Sequence, residues 1–286
     1  MKQVDIKNIG IVGAGQMGAG IAQIAAYNDY KVTLRDIEQE FCDSAVLKIK
    51  QGLDKRVAQV KETQENVDKT LGNIRTTVDI NDLKDCDMVI EAVPEILELK
   101  KATFAELSRV CREDAILCTN TSSMSVTDIM SECANAQRCA GTHFFFPVTA
   151  MRLVEIIRGS MTSDGTVETI KETAAGIGKT PVICREDTPG FIVNRCLFAF
   201  LLEAIRCYEE GVASIEDIDT AMKLGLNHPL GPFEMMDMSG IETFPRVCNT
   251  LSALPVTDWS APGSLKKLVE EGRHGRKSGH GWYDYE

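Results

Sequence analysis

The sequence predicts an α/β chain in which a doubly wound parallel sheet is followed by an all-helical C-terminal domain. Three observations predict it. The first 36 residues read as strand, glycine turn, helix and strand; apolar strands then alternate with helical stretches to about residue 185; beyond Pro189 the apolar residues recur at helical spacing only.

The first strand, Lys7-Asn-Ile-Gly-Ile-Val12, runs into Gly13-Ala-Gly-Gln-Met-Gly18, and an alanine-rich helix leads to a second strand, Lys31-Val-Thr-Leu-Arg-Asp36. A bare G-x-G-x-x-G is common by chance, but in this context it is the signature of a Rossmann-like dinucleotide site. Gly13 permits the tight turn, Gly15 leaves room for a pyrophosphate, and Gly18 lets helix and sheet approach. The helix that begins near Gln16 and Met17 turns unpaired N–H groups and the positive end of its dipole toward the phosphates. Asp36 closes the second strand, where a carboxylate accepts from a ribose diol and repels a 2′-phosphate. NAD is therefore expected over NADP, with Arg35 as the one neighbour suited to a 2′-phosphate.

Next comes a polar helical region, roughly residues 38 to 70, in which Lys48 and Lys55 lie two turns apart on one face with Arg56 beside them. A solvated face and a phosphate site explain it equally well. Thr76-Thr-Val starts an extended piece. Asp87-Met-Val-Ile-Glu-Ala-Val-Pro94 is a buried strand ending at the cofactor edge, a helix spans about Leu97 to Cys111, and Ala115-Ile-Leu-Cys-Thr119 leads into the polar turn Asn120-Thr-Ser-Ser123. Two extended segments follow, Cys139 to Phe146 and Arg152 to Ile157. In the second, Glu155 sits inside an apolar strand, where an unpaired carboxylate costs several kcal/mol. The complementary group within reach of the short connection is His143.

Around Glu186 the pattern changes, which divides the chain into residues 1–186 and 187–286. Thr188 and Pro189 suit a helix start, and Val193, Cys196, Leu197, Phe200, Leu201, Ala204 and Tyr208 form an apolar stripe ending at Gly211. Ser214-Ile-Glu-Asp217 reads as a capping box for a helix stopped by Gly225, and Gly231-Pro232 opens another. The stripe is long for a surface element, which suggests a homodimer.

The bulk numbers agree. A chain of 286 residues, 44% hydrophobic and 26% charged, is that of a globular protein with two domains, and no apolar run reaches the roughly 18 residues a membrane helix needs. The net charge of −11 argues against nucleic acid as a partner, so an anionic ligand must be caught by local dipoles and basic side chains. Ten scattered cysteines without a C-x-x-C pair read as reduced thiols and not as a metal site. With no signal or transit pattern before the first strand, the expected location is cytoplasmic.

Several phrases, in this order and spacing, resemble the L-3-hydroxyacyl-CoA dehydrogenases, most of all the short bacterial 3-hydroxybutyryl-CoA dehydrogenases. They are Gly13 to Gly18, Asn120-Thr-Ser-Ser123, Gly141-Thr-His-Phe-Phe145, Leu153-Val-Glu-Ile-Ile157, Thr188-Pro-Gly-Phe-Ile-Val-Asn-Arg195, Asn227-His-Pro-Leu-Gly-Pro232 and the tail Gly275 to Tyr285. The resemblance covers nearly the whole chain. It implies reversible hydride transfer between C3 of a short-chain 3-hydroxyacyl-CoA and the nicotinamide, with His143 as general acid and base and Glu155 orienting it. It further implies that Ser122 and Asn194 hold the reacting oxygen or the thioester carbonyl. By the same resemblance Ala92, Val93, Glu95 and Asn120 are expected to line the cofactor, and Lys48, Lys55 and Arg56 fall where the family holds the CoA phosphates. One departure stands out: the usual His-Phe-Phe-Asn-Pro carries Phe146 in place of the asparagine. Rival readings are a sugar-acid or other hydroxyacid dehydrogenase on the same scaffold, or an NAD-binding relative without turnover. The β-hydroxyacid dehydrogenases fit poorly, since no lysine follows Gly190 before Lys223.

Overall fold

Strands four to six residues long and apolar on both faces are stable only when helices cover them above and below, and the chain supplies those helices in strict alternation. A computed structural model describes residues 5–254 and 258–285. It separates into two compact units, one ending at Thr188 and the other beginning at Pro189.

In the first unit, β1 (Asn8–Val12), α1 (Gln16–Tyr27) and β2 (Lys31–Arg35) form the opening βαβ turn, followed by α2 (Gln39–Ala58), α3 (Gln64–Gly72), β3 (Ile74–Thr77) and β4 (Met88–Glu91). Then come α4 (Leu97–Val110), β5 (Ile116–Thr119), the single turn α5 (Val126–Ile129), β6 (Cys139–Phe144), β7 (Leu153–Ile157), α6 (Asp164–Gly176) and β8 (Thr180–Cys184). The eight strands lie in the order β3-β2-β1-β4-β5-β6-β7-β8. Every neighbouring pair is parallel except β6 and β7. The chain goes outward one way from β1 and the other way from β4, and a ligand crevice belongs at that reversal, beyond the carboxyl ends of the strands.

The polar helical stretch after Asp36 is two helices and not one, because the chain breaks at Val60, whose φ of 58° no helix interior accommodates. The pair α6 and β8 completes the sheet beyond what the sequence pattern marked. Lys179, just before β8, is buried, and its ammonium donates to the carbonyls of Val148 and Met151. It thereby fastens the connection between β6 and β7. Burial holds its pKa below the ordinary lysine value.

The second unit is helical: α7 (Val193–Glu209), α8 (Ile215–Leu226), α9 (Pro232–Ser239), α10 (Phe244–Leu251) and α11 (Gly263–Glu270). Thr188 and Pro189 do not open α7. Gly190 and Phe191 take positive φ values of 76° and 51° in a turn, and the helix starts at Val193. Its inward face is Phe198, Leu201, Leu202, Ala204 and Ile205, so the stripe anticipated from sequence is only partly the core face; Cys196 and Tyr208 are exposed. Ser214 caps α8 as expected, whereas α8 passes through Gly225 and ends at Asn227, in left-handed conformation.

Two buried carboxylates organise this unit. Asp219 accepts from the backbone N–H of Phe233 and Glu234 at the start of α9, and Asp237 accepts from the N–H of Trp282 and Tyr283 and the hydroxyl of Tyr285. Asp237 therefore ties the C-terminal tail to α9.

Candidate active site

A crevice of about 660 Å³ opens at the strand reversal, lined by Gly13 to Met17, Arg35, Asp36, Phe41, Ser44, Lys48, Ala92, Val93 and Pro94. Its floor is the glycine turn. Gly13 has a φ of 104°, and a Cβ there would sit 2.6 Å from the Ala92 carbonyl oxygen. A Cβ on Gly18 would fall 1.8 Å from the Gly13 carbonyl oxygen, so only glycine allows the helix this approach. A Cβ on Gly15, by contrast, would meet nothing within 4 Å: the turn leaves open the space that a pyrophosphate fills. The first turn of α1 carries no acidic residue, and its leading N–H groups have no intrahelical acceptor. Asp36 accepts from the N–H of Ala14 at 2.6 Å and of Ile37 at 2.7 Å, fixing its carboxylate over the turn. These residues fit a bound dinucleotide.

At the ends of β4 and β5 lies a polar network. Glu91 is fully buried and Lys100 nearly so; they pair at 2.7 Å. Glu91 also accepts from the Val93 N–H and the Thr119 hydroxyl, while Lys100 reaches Glu95 at 3.2 Å. Glu95 in turn accepts from the Thr121 hydroxyl and from the N–H and hydroxyl of Ser122. Burial alone would raise the Glu95 pKa. The Lys100 charge and the donors from Thr121 and Ser122 outweigh it and hold the carboxyl below its usual range. Asn120 uses its side-chain oxygen to accept from the Phe144 N–H, binding the end of β5 to that of β6.

His143 and Glu155 stand directly opposite each other in the antiparallel β6 and β7 register, and Nδ1 lies 2.7 Å from Glu155 Oε2. Both are buried, and the Phe145 ring tilts against the imidazole with centroids 4.4 Å apart. A cross-strand pair is thus what answers the carboxylate noticed inside an apolar strand. Phe146 is 61% exposed.

The basic residues of α2 part company. Lys48 lines the crevice, Arg56 lines a separate recess of about 310 Å³ together with Tyr27, Gly52, Thr149 and Lys179, and Lys55 lines neither. In the second unit, Asn194 occupies the first turn of α7. Sequence reasoning missed Glu91, Lys100 and Lys179. The signal for Glu91 was present: like Glu155, it is a carboxylate inside an apolar strand.

Residues 8–188 match the 3-hydroxyacyl-CoA dehydrogenase NAD binding domain, and residues 190–285 match the C-terminal domain of the same family. The chain belongs to the 3-hydroxyacyl-CoA dehydrogenase family. It is 42% identical to a probable 3-hydroxybutyryl-CoA dehydrogenase of Deinococcus radiodurans, covering 96% of this chain and 99% of that one. It is 40% identical to human mitochondrial hydroxyacyl-coenzyme A dehydrogenase over 99% of this chain and 93% of the human one. Among solved structures, the (S)-3-hydroxybutyryl-CoA dehydrogenase of Ralstonia eutropha superposes with a TM-score of 0.94 at 37% identity, covering 99% of this chain and 100% of that one. The chain is therefore an NAD-dependent oxidoreductase by family, and the glycine turn, the Asp36 carboxylate and the strand reversal are the parts of its fold that suit the cofactor.

Proposed function

We propose that this dehydrogenase interconverts (S)-3-hydroxyacyl-CoA and 3-oxoacyl-CoA, with 3-hydroxybutyryl-CoA and acetoacetyl-CoA as the preferred pair. The observation that carries the reading is the buried His143 and Glu155 pair at 2.7 Å, held by adjacent strands of the sheet that also forms the cofactor crevice. When bound, the nicotinamide supplies the hydride acceptor or donor for C3. Glu155 commits Nδ1 of His143, so proton exchange with the substrate hydroxyl falls to Nε2. The imidazole takes that proton during oxidation and returns it during reduction, and the adjacent carboxylate steadies the imidazolium. Ser122 is assigned the reacting oxygen, beside the Asn120 end of β5 that faces the nicotinamide side, and Asn194 the substrate oxygen or the thioester carbonyl, the latter by resemblance alone. Gln16, Met17, Ala92, Val93 and Glu95 complete the cofactor contacts. Lys48 and Arg56, with Lys55 between them in sequence, are the cations that would draw the CoA phosphates against the net charge of −11.

The test is NADH consumption with a series of 3-oxoacyl-CoA chain lengths, repeated with NADPH and with free acetoacetate and gulonate. Acetoacetyl-CoA with NADH should give the highest kcat/KM, and the free acids should fall short by about 100-fold or more, since they lack the CoA binding energy. Comparable rates on a free acid would replace this substrate class with a hydroxyacid or sugar acid, and bound NADH without turnover would mark a non-catalytic relative.

A homodimer and a cytoplasmic location complete the proposal. Val212, Leu224, Leu226 and Met238 of the helical unit are large apolar side chains exposed by 56% or more. Sedimentation at micromolar concentration should give a dimer; a monomer alone would reject it. The ten cysteines are all free, as a reducing compartment requires, and among the described residues no helix is long and apolar enough to cross a membrane.

A further inference from the structure

The network at the ends of β4 and β5 holds one cation between two carboxylates. Lys100 Nζ pairs with Glu91 Oε1 at 2.7 Å and Glu95 Oε2 at 3.2 Å. Every hydrogen bond made by the two carboxylates in this network is one they accept: Glu91 from Lys100, Val93 and Thr119, Glu95 from Thr121 and Ser122. Two carboxylates set against one ammonium leave the ionised triad with one net negative charge. It is nearly dry: the side chains of Glu91 and Lys100 are 0% and 1% exposed, and only Glu95, at 19%, reaches the surface. A charge in such a place is weakly screened by solvent and salt.

Its place in the sheet decides what it faces. In a doubly wound dinucleotide fold the half built on β1 and β2 takes the adenosine, where Asp36 stands, and the half beyond the strand reversal, built on β4 and β5, takes the nicotinamide. The triad sits in that second half, where Glu91 and Glu95 flank the segment Ala92 to Pro94 that lines the crevice and Glu91 accepts from the Val93 N–H. The oxidised nicotinamide ring is a cation and the reduced ring is neutral. The two forms are otherwise nearly the same size and shape, so a fixed negative charge on the nicotinamide side of the crevice would favour the oxidised one.

We propose that the Glu91, Lys100 and Glu95 triad sets the relative affinity of this dehydrogenase for the two redox forms of its cofactor, favouring NAD⁺ through its net negative charge. Glu91 and Lys100 are positioning residues in this device. Lys100 keeps Glu95 ionised, Glu91 fixes the Lys100 ammonium from the other side, and Ser122 ties Glu95 to the turn after β5. The proposal rests on the dinucleotide reading of the crevice and goes beyond it: contact with the cofactor would strengthen both forms alike, whereas the charge acts on one.

The experiment measures Kd for NADH by fluorescence and for NAD⁺ by competition, in the wild type and in Glu95→Gln, Glu95→Asp and Glu91→Gln. Glu95→Gln removes the charge and keeps the shape. It should raise the ratio Kd(NAD⁺)/Kd(NADH) about tenfold, equivalent to about 1.4 kcal/mol, beyond whatever direct contact both forms lose alike. Glu91→Gln should move the ratio in the same direction. Glu95→Asp keeps the charge and should leave the ratio within about twofold of wild type even if both affinities fall. If the ratio stays fixed in both glutamine variants, or if both affinities fall in step, the triad is only a structural or hydrogen-bonding support and the inference is overturned. A wild type that binds neither form would instead remove the dehydrogenase reading itself, so the two failures are distinguishable.

Discussion

His143→Ala is expected to lower kcat with acetoacetyl-CoA and NADH by roughly three orders of magnitude, within the range that a positioned general acid contributes, while NADH still binds. The two halves of this expectation come from different parts of the sheet. The proton donor sits on β6, opposite Glu155 on β7, whereas the cofactor crevice is lined by the glycine turn, β2 and the segment after β4. Removing the ring takes away the group that protonates the developing alkoxide and the imidazole that Glu155 faces at 2.7 Å. Some loss of thermal stability should accompany the loss of rate, since the buried ring leaves a cavity. Glu155→Gln separates the two effects. It keeps an acceptor opposite Nδ1 but withdraws the charge that steadies the imidazolium, so kcat should fall by about 100-fold with little change in cofactor affinity. Unchanged turnover in His143→Ala, measured by NADH absorbance, would discard the proposed mechanism.

Where the sequence made a site legible, it did so through residues whose physical demands admit few solutions. Gly13 and Gly18 are such residues, because backbone carbonyls occupy the space a side chain would need, and so is Glu155, because a carboxylate in an apolar strand must find a partner. The same rule applied to Glu91 would have led to Lys100, nine residues on; there the partner comes from the following helix and not from a hairpin return, so nothing in the local pattern announces it. Lys179 was hidden for a related reason: its acceptors are backbone carbonyls, which leave no mark in the sequence. The break at Val60 and the late start of α7 turn on positive φ values at Val60 and Phe191, non-glycine residues that propensity would not place there. Asn120 carries the opposite lesson. The resemblance marks it for the cofactor side, and the fold adds a use that no sequence pattern announces, its side-chain oxygen tying the end of β5 to β6 through the Phe144 N–H.

Asp36→Ala should raise the Kd for NAD by about 100-fold, the scale of losing charge-assisted hydrogen bonds to a ribose diol, and should change that for NADP far less. The structure adds a complication to this test. One carboxylate oxygen already accepts from the Ala14 N–H and the other from the Ile37 N–H, so the side chain also braces the glycine turn. Alanine removes the brace together with the ribose contacts, and damage to the turn would weaken both cofactors. Asparagine narrows the ambiguity, because its amide oxygen can still accept from Ala14 while the charge and the acceptor for the Ile37 N–H are lost. In Asp36→Asn the loss for NAD should shrink to about tenfold. NADP should bind more tightly than in the wild type, since its 2′-phosphate no longer meets an anion and Arg35, in the same crevice, can pair with it. Isothermal titration with both cofactors checks this. A fall of equal size for NAD and NADP in both variants would confine Asp36 to the turn, and cofactor choice would then have to rest on the groups around it.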